Sequence, residues 1–363
     1  MAEALLVLAD GGVFPGVSLG ARGRTDGEVV FNTSMTGYQE MLTDPSYAGQ
    51  ILTLTYPMIG NYGIDLTVEE SNRIQPRGLV IRELAPYASH LRSTGGLHEY
   101  LAERGVVGIA EVDTRAITRR IRRHGVMLGT ITTEETAAAA LARVRALPVY
   151  DDVNWVASVT TDHEYNWNNA APGMKRVALL DGGVKRNIMR SLAARGCAIR
   201  VFPATSTADA LLAARPDGIV LSPGPGDPRL LEFMVGETRQ LIGKAPMLGI
   251  CLGHQVVAKA LGAGTFKLPF GHRGGNHPVK DVRTGTVTVT AQNHGYAVDP
   301  DGLEASALVS HINLNDKTVE GLAMKTEPLL TIQFHSEACP GPLDSMGLFD
   351  RFCAMMAPTN GGD

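Results

Sequence analysis

Met247-Leu248-Gly249-Ile250-Cys251-Leu252-Gly253-His254-Gln255 carries an apolar strand into a cysteine and then almost at once into a helix. The order G-x-C-x-G stands where G-x-S-x-G forms a nucleophile elbow, the sharp strand-to-helix turn that lifts a nucleophile above the end of a sheet. The turn accounts for the glycines at 249 and 253, because two stretches of backbone must approach closely there and a Cβ would block them. A thiol so placed sits at a helix N-terminus, where the dipole and free N–H groups favour thiolate, and the Leu252 amide points where an oxyanion would form. A cysteine in an arbitrary setting is more often a small core residue. The strand, elbow and helix around Cys251 reverse that reading.

Working outward, 177–180, 199–202, 218–221 and 247–250 are short apolar strands. The segments between them, 185–195, 207–214 and 228–242, have helical length and periodicity. This β-α-β-α order predicts a doubly wound, mostly parallel sheet with helices on both faces and its chemistry at the strands' carboxyl ends. After about Leu261 the pattern turns antiparallel, with strict alternation over 286–290.

A thiolate nucleophile needs a base. His335 follows an apolar strand over 329–334, and in His335-Ser336-Glu337 residues two apart on an extended segment face the same way, so Glu337 can orient the imidazole. Cys251, His335 and Glu337 then form a triad recognised by role rather than by position. Leu221-Ser222-Pro223-Gly224-Pro225-Gly226-Asp227-Pro228 lies at another carboxyl end, where glycines free backbone N–H groups to face a ligand beside the elbow.

The first half differs. Short β-like runs at 4–8, 13–19, 28–31 and 51–55 are separated by Asp10-Gly11-Gly12 and Thr25-Asp26-Gly27. Asp113 can cap a helix over 114–124, and Thr133 with Glu134 and Glu135 opens an Ala-rich helix to 147. The expected organisation is a smaller α+β domain over 1–150, a polar linker over 151–174 and the α/β domain over 175–363. A chain of 363 residues, 44% hydrophobic and 19% charged, suits two globular domains. A net charge of −4 argues against nucleic acid or an anionic membrane as partner. No apolar run reaches the roughly 20 residues of a spanning helix, and the run over 4–9 is too short for a signal sequence, so the expected location is the cytoplasm. There the four cysteines, none in a CxxC pair, are expected as free thiols.

Gly249 to Gln255 and His335 to Glu337 resemble the G-x-C-x-G-x-Q and H-x-E motifs of the class I (triad) glutamine amidotransferases, a likeness that runs from about Lys175 onward. It implies that Cys251 attacks the side-chain amide of glutamine, that His335 passes a proton to the departing ammonia, and that a glutamyl thioester forms and is hydrolysed. Phe31-Asn32-Thr33-Ser34-Met35-Thr36-Gly37-Tyr38-Gln39-Glu40 and Leu42-Thr43-Asp44-Pro45-Ser46-Tyr47 are similar to the N-terminal domain of carbamoyl phosphate synthase small subunits. Gly274 to Asp281 and Ala291 to Gly295 add to that likeness.

By motif, the resemblance implies a glutamine pocket of Ser46, Gly224, Gly226, Leu252, Gln255, Asn293, Gly295 and Tyr296, partly built across the domain interface. The amides of Leu252 and the Gly224 loop would be its oxyanion donors. It also implies a partner, a large subunit that makes carbamoyl phosphate from bicarbonate and ATP with magnesium for pyrimidine and arginine biosynthesis. This chain itself has no G-x-x-x-x-G-K-[ST] and no stretch left for a nucleotide domain, so no cofactor is expected on it. The chain departs from the family in Ser336, where proline is common, and in Pro223, which removes one N–H from the oxyanion loop.

Other readings are weaker. A zinc site from His272, His277, His294 and His335 fits no standard ligand spacing, so no metal is expected. A non-catalytic scaffold would not need Cys251, His335 and Glu337 together, and a glutaminase for anthranilate or GMP synthesis would not carry this first half. Arg115, Arg119, Arg120, Arg122 and Arg123 wrap their helix, which suits a solvated face as well as a docking surface.

Overall fold

The first of two compact units comprises the residues up to Trp155 together with Pro269–Gly274, and the second Val156–Leu268 together with the chain from Gly275. The computed structural model describes residues 2–356.

In the first unit, β1 (Glu3–Leu8), β2 (Val13–Gly20), β3 (Arg24–Asn32), β4 (Gln50–Leu54), β5 (Gly78–Val80), β6 (Val107–Ala110) and β7 (Met127–Thr132) close into a barrel. Its order is β1-β2-β6-β5-β4-β3-β7, with β7 returning to β1. Closure removes the unpaired edges that an open sheet of this size would expose. Strands alternate their apolar residues between two clusters: Val29, Phe31 and Ile51 join one, Val30, Leu52 and Leu54 the other.

Two expectations fail here for identifiable reasons. Thr25-Asp26-Gly27 is not a turn but lies within β3, where Gly27 pairs with Gly129 of β7. A Cβ on Gly27 would meet Gly49 O at 2.7 Å, so this glycine serves close strand approach rather than chain reversal. Likewise Thr133 does not open a helix, because its Oγ1 accepts the Gly23 N–H (3.0 Å). The helix is Ala137–Val144, capped by Thr136, whose Oγ1 accepts the Ala139 N–H (3.3 Å). The other cap is as expected: Asp113 Oδ1 accepts the Ala116 N–H (2.9 Å) and starts α1 (Thr114–His124), which buries Ile117 and Ile121 and leaves Arg115, Arg119, Arg122 and Arg123 exposed.

The second unit holds β8 (Lys175–Asp181), β9 (Cys197–Pro203), β10 (Gly218–Leu221), β11 (Met247–Ile250), β12 (Gly264–Asp281, apart from its stretch Pro269–Gly274), β13 (Val287–Asp299), β14 (Ala307–Asn313), β15 (Val319–Met324) and β16 (Leu329–Ile332). They run β9-β8-β10-β11-β16-β15-β13-β12-β14, with Tyr165–Asn166 on the outer edge of β9. The first five are parallel and β15 pairs antiparallel to β16, which is the doubly wound sheet with an antiparallel extension that the alternation implies. Along β8, Val177 and Leu179 pack into one apolar layer and Ala178 and Leu180 into the other, as a strand covered by helices on both faces must.

The flanking helices are α2 (Arg186–Ala193), α3 (Glu232–Leu241), α4 (Leu252–Ala260) and α5 (Gly347–Met355), together with the short helix Ala208–Ala213 where one was expected over 207–214. The single helix expected over 228–242 is broken. Asp227 caps the one-turn helix Pro228–Leu230 by accepting the Arg229 N–H (2.8 Å), and α3 starts afresh at Glu232. Part of the polar stretch expected as linker packs into this unit: Val156 is buried in its core, and the Thr161 N–H reaches Asp181 Oδ2 (2.8 Å).

Candidate active site

β11 ends at Ile250 and α4 begins at Leu252, so the chain reverses direction across the single residue Cys251. Cys251 holds φ 53° and ψ −105°, a conformation costly for any residue with a Cβ. The neighbouring glycines make it possible. A Cβ on Gly253 would lie 2.2 Å from Leu221 O, and one on Gly249 would lie 2.9 Å from Gly253 O. The turn is tied down by the Cys251 N–H to Ile332 O (2.8 Å) and the Gly253 N–H to Ser222 O (3.1 Å). The thiol is buried and donates to Asn293 O at 3.8 Å, and the Leu252 amide lies in the first turn of α4, where N–H groups have no acceptor within the helix.

The loop after β10 meets this elbow directly. Gly224 is packed so closely that a Cβ would fall 2.2 Å from Gly182 O and 2.6 Å from Leu252 Cδ2, and Gly226 has φ +92°. Pro223 is compatible with this arrangement because the loop is held by Ser222, whose Oγ accepts the Gly182 N–H (2.9 Å) and donates to Pro223 O (2.8 Å).

His335 follows β16 and is fixed by its N–H to Ala291 O (2.9 Å). Its Nδ1 donates to Glu337 Oε1 at 2.7 Å, so the expected pair is present. The pair arises differently from the expectation, because 335–337 form a turn closed by the Ala338 N–H to His335 O (3.2 Å) rather than an extended segment. Ser336 is fully buried in that turn. Glu337 receives a second cation that the sequence reading missed: Lys185 Nζ lies 3.0 Å from Glu337 Oε1 and donates to Ala338 O (2.7 Å). Asn187 Nδ2 adds a bond to Glu337 O (2.6 Å). The available signal was position, because Lys185 directly follows the loop at the carboxyl end of β8.

Burial alone would raise the Glu337 carboxyl, but Lys185 and then His335 outweigh it and hold it low. Burial would likewise depress the His335 imidazole, yet the Glu337 carboxylate and then Cys251 hold it well above the ordinary histidine range. His335 Nε2 is buried, and Cys251 beside it helps to hold the imidazole up. His254, one residue past Gly253, is not a competing base. Its Nδ1 meets Thr331 Oγ1 (2.8 Å), and burial pushes it down to about 3.

Gln255 is buried on α4, and its Nε2 donates to Tyr296 O (2.9 Å) and Gln333 Oε1 (3.0 Å). Both amide protons are thereby used within the protein, which leaves Oε1 as the atom it can turn to a ligand, an acceptor suited to an ammonium group. Asn293, Gly295 and Tyr296 lie together on β13. The fold thus gathers Gly224, Leu252, Gln255, Asn293 and Tyr296 around the elbow through direct contacts, with Gly226 and Gly295 in the same segments. Ser46 belongs to the first unit, in the short turn Pro45–Tyr47, with its N–H on Asp44 Oδ1 (2.9 Å) and its Oγ buried. Of the four histidines weighed as zinc ligands, His272 and His294 come together with the buried Glu320, their ligand atoms within 4.8 Å of one another, and the two His294 ring nitrogens also lie near Tyr296 O (2.7 Å) and Gln292 Oε1 (2.9 Å).

Residues 6–131 match the family described as carbamoyl-phosphate synthase small chain, CPSase domain, and residues 178–355 match glutamine amidotransferase class-I. A carbamoyl phosphate synthase small chain from Syntrophotalea carbinolica is 47% identical over 367 residues, covering 98% of each chain. One from Listeria monocytogenes is 50% identical over 362 residues, covering 98% of this chain and 97% of the relative. The chloroplastic small chain of Oryza sativa subsp. japonica is 46% identical over 369 residues, covering 98% of this chain and 82% of its own.

Proposed function

This chain belongs to the family of carbamoyl phosphate synthase small chains, and from that premise we propose that it hydrolyses L-glutamine through Cys251, His335 and Glu337 and passes the ammonia to a large subunit. The observation that carries the reading is the buried Cys251, His335, Glu337 set at the elbow, with Lys185 fixing Glu337 from behind.

In this mechanism His335 Nε2 takes the Cys251 proton and the sulfur attacks the side-chain carbonyl carbon of glutamine. The carbonyl oxygen becomes an oxyanion facing the amides of Leu252 and Gly224. As the C–N bond breaks, His335 returns its proton to nitrogen, and ammonia leaves behind a glutamyl thioester. A water then gives a proton to His335 and attacks the thioester carbon, releasing glutamate and restoring the thiol. Glu337 keeps the imidazole in the tautomer with Nδ1 protonated, and Lys185 keeps Glu337 ionised. Gln255 Oε1 receives the substrate ammonium.

ATP, magnesium and bicarbonate belong to the large subunit in this reading, and the carbamoyl phosphate it makes enters pyrimidine and arginine biosynthesis. The cytoplasm suits an enzyme whose nucleophile must stay reduced. Among the described residues no helix is long and apolar enough to cross a membrane.

The test is Cys251→Ala in the complex with the large subunit. Glutamine-dependent synthesis is expected to fall by a factor on the order of 10^4 or more, while free ammonia supports synthesis as before. Equal loss of both activities would refute the division of labour.

A further inference from the structure

Two thiols that the proposed mechanism does not use meet at the far end of the parallel sheet. Cys197, the first residue of β9, is fully buried, and Cys353, in the last turns of α5, is half-buried. Their sulfurs lie 3.8 Å apart although 156 positions separate them in the chain.

The segment around Cys197 already holds α5 in register. Arg195 Nε pairs with Asp350 Oδ1 (2.7 Å), its Nη2 donates to Met346 O (3.2 Å), and its guanidinium lies over the Phe349 ring (5.6 Å to the centroid). Lys175 Nζ donates to Cys353 O. The two sulfurs are therefore kept together without a covalent link, and the more accessible one stands among cations.

We propose that Cys197 and Cys353 are a redox-active dithiol that closes to a disulfide on exposure to a peroxide, stapling α5 to β9 and reopening with thiol reductants. Cys353 is the attacking thiol. Its hydrogen bond with Cys197, helped by Lys175 and Arg195, lowers its pKa against the opposing effect of burial, while the same bond raises that of Cys197. The Cys353 thiolate displaces hydroxide from hydrogen peroxide and becomes a sulfenic acid. Cys197 sulfur then attacks Cys353 sulfur, the S–O bond breaks, and the departing hydroxide takes the Cys197 proton as water. Two thiols and one peroxide thus give one disulfide and two waters.

A bond across so long a loop restricts the unfolded chain, and α5 carries Phe349 and Phe352, which pack in the same apolar layer as Ile332 and Phe334 ahead of His335. Closure is expected to raise the thermal midpoint by roughly 5 °C or more.

The test uses the full chain carrying Cys251→Ala, so that the elbow thiol does not consume oxidant. After peroxide treatment, the intact mass is expected to fall by two hydrogens, non-reducing peptide mapping to join the Cys197 and Cys353 peptides, and the thermal midpoint to rise. Dithiothreitol is expected to reverse all three. Added Cys353→Ser is expected to abolish them while leaving the thermal midpoint of the untreated protein within about 2 °C. The proposal is overturned if Cys353 is recovered as a sulfinic acid with Cys197 unmodified, or if the joined peptides are absent while Cys339 is oxidised. Retention of the midpoint rise in the Cys353→Ser protein would overturn it as well.

Discussion

The two units differ in where their densest ion-pair clusters lie. In the barrel the principal ion-pair cluster sits at the rim: Arg143 reaches Asp26 (2.5 Å) and Glu135 (2.5 Å), with its side chain 22% exposed. In the second unit Lys185 and Glu337 meet at 3.0 Å with 3% and 0% exposure, and His335 is buried against them. The difference follows from topology. A barrel closes on itself and its strand ends lead into ordinary turns, whereas an open parallel sheet brings several carboxyl ends side by side and can bury a charged group among them. A rim pair reports on stability alone. A buried triad must also be balanced electrostatically, and the first change below would unbalance it.

The largest stability effect is expected from Lys185→Met, which leaves the Glu337 carboxylate buried without its strongest partner. Removing one member of such a pair costs about 3–5 kcal/mol. Urea unfolding of the second unit, followed through Trp167 in a Trp155→Phe background, measures the cost, and glutaminase kcat should fall with it. Unchanged kcat would mean that Lys185 supports the fold only.

Next is Gly253→Ala. The added Cβ meets backbone, Leu221 O at 2.2 Å, which cannot rotate away. A destabilisation of about 3 kcal/mol and loss of glutaminase are expected. Gly105→Ala in the first unit, with φ +68° but open space around it, is expected to cost only about 1 kcal/mol, so the pair separates collision from backbone strain.

The same contrast predicts a pH signature. Glu337 is held low in the folded state, so its stabilisation is complete above the ordinary carboxyl pKa and is lost as pH falls through the folded value. His335 is held high, so its contribution is complete below the ordinary histidine pKa and is lost as pH rises through the folded value. The stability of the second unit should therefore decline on both sides, and Lys185→Met should move the acid limb toward higher pH. An acid limb that does not move in that variant would sink the assignment.

The smallest effect is expected at the rim. Arg143→Ala should cost about 1 kcal/mol, measured on Trp155 fluorescence, and should shrink as salt is added. A cost as large as that of Lys185→Met would erase the distinction between the two units.

Much of this was legible in the sequence for local reasons. The elbow could be read because its requirements are contained in seven residues: an apolar strand, two glycines where backbones touch, and a cysteine between them. The doubly wound sheet was legible in the alternation of apolar runs and helical periods. Where one residue type serves two purposes, the reading failed. Gly27 resembled a turn glycine but serves strand approach, and Thr133 resembled a cap but bonds a distant glycine. The His335 and Glu337 pair was found through a geometry the chain does not use, because alternation and a tight turn both bring residues two apart together.

The sequence by itself singled out Cys251, His335 and Glu337, because each is announced by neighbours within a few residues. Only the tertiary structure decided that Lys185 sits behind Glu337, that the Ser222 loop is bonded to the elbow, that Gln255 is left an acceptor and that Cys197 faces Cys353. Each of these depends on which strand ends lie adjacent, and adjacency in a parallel sheet is set by long crossover connections rather than by any pattern within the segment itself.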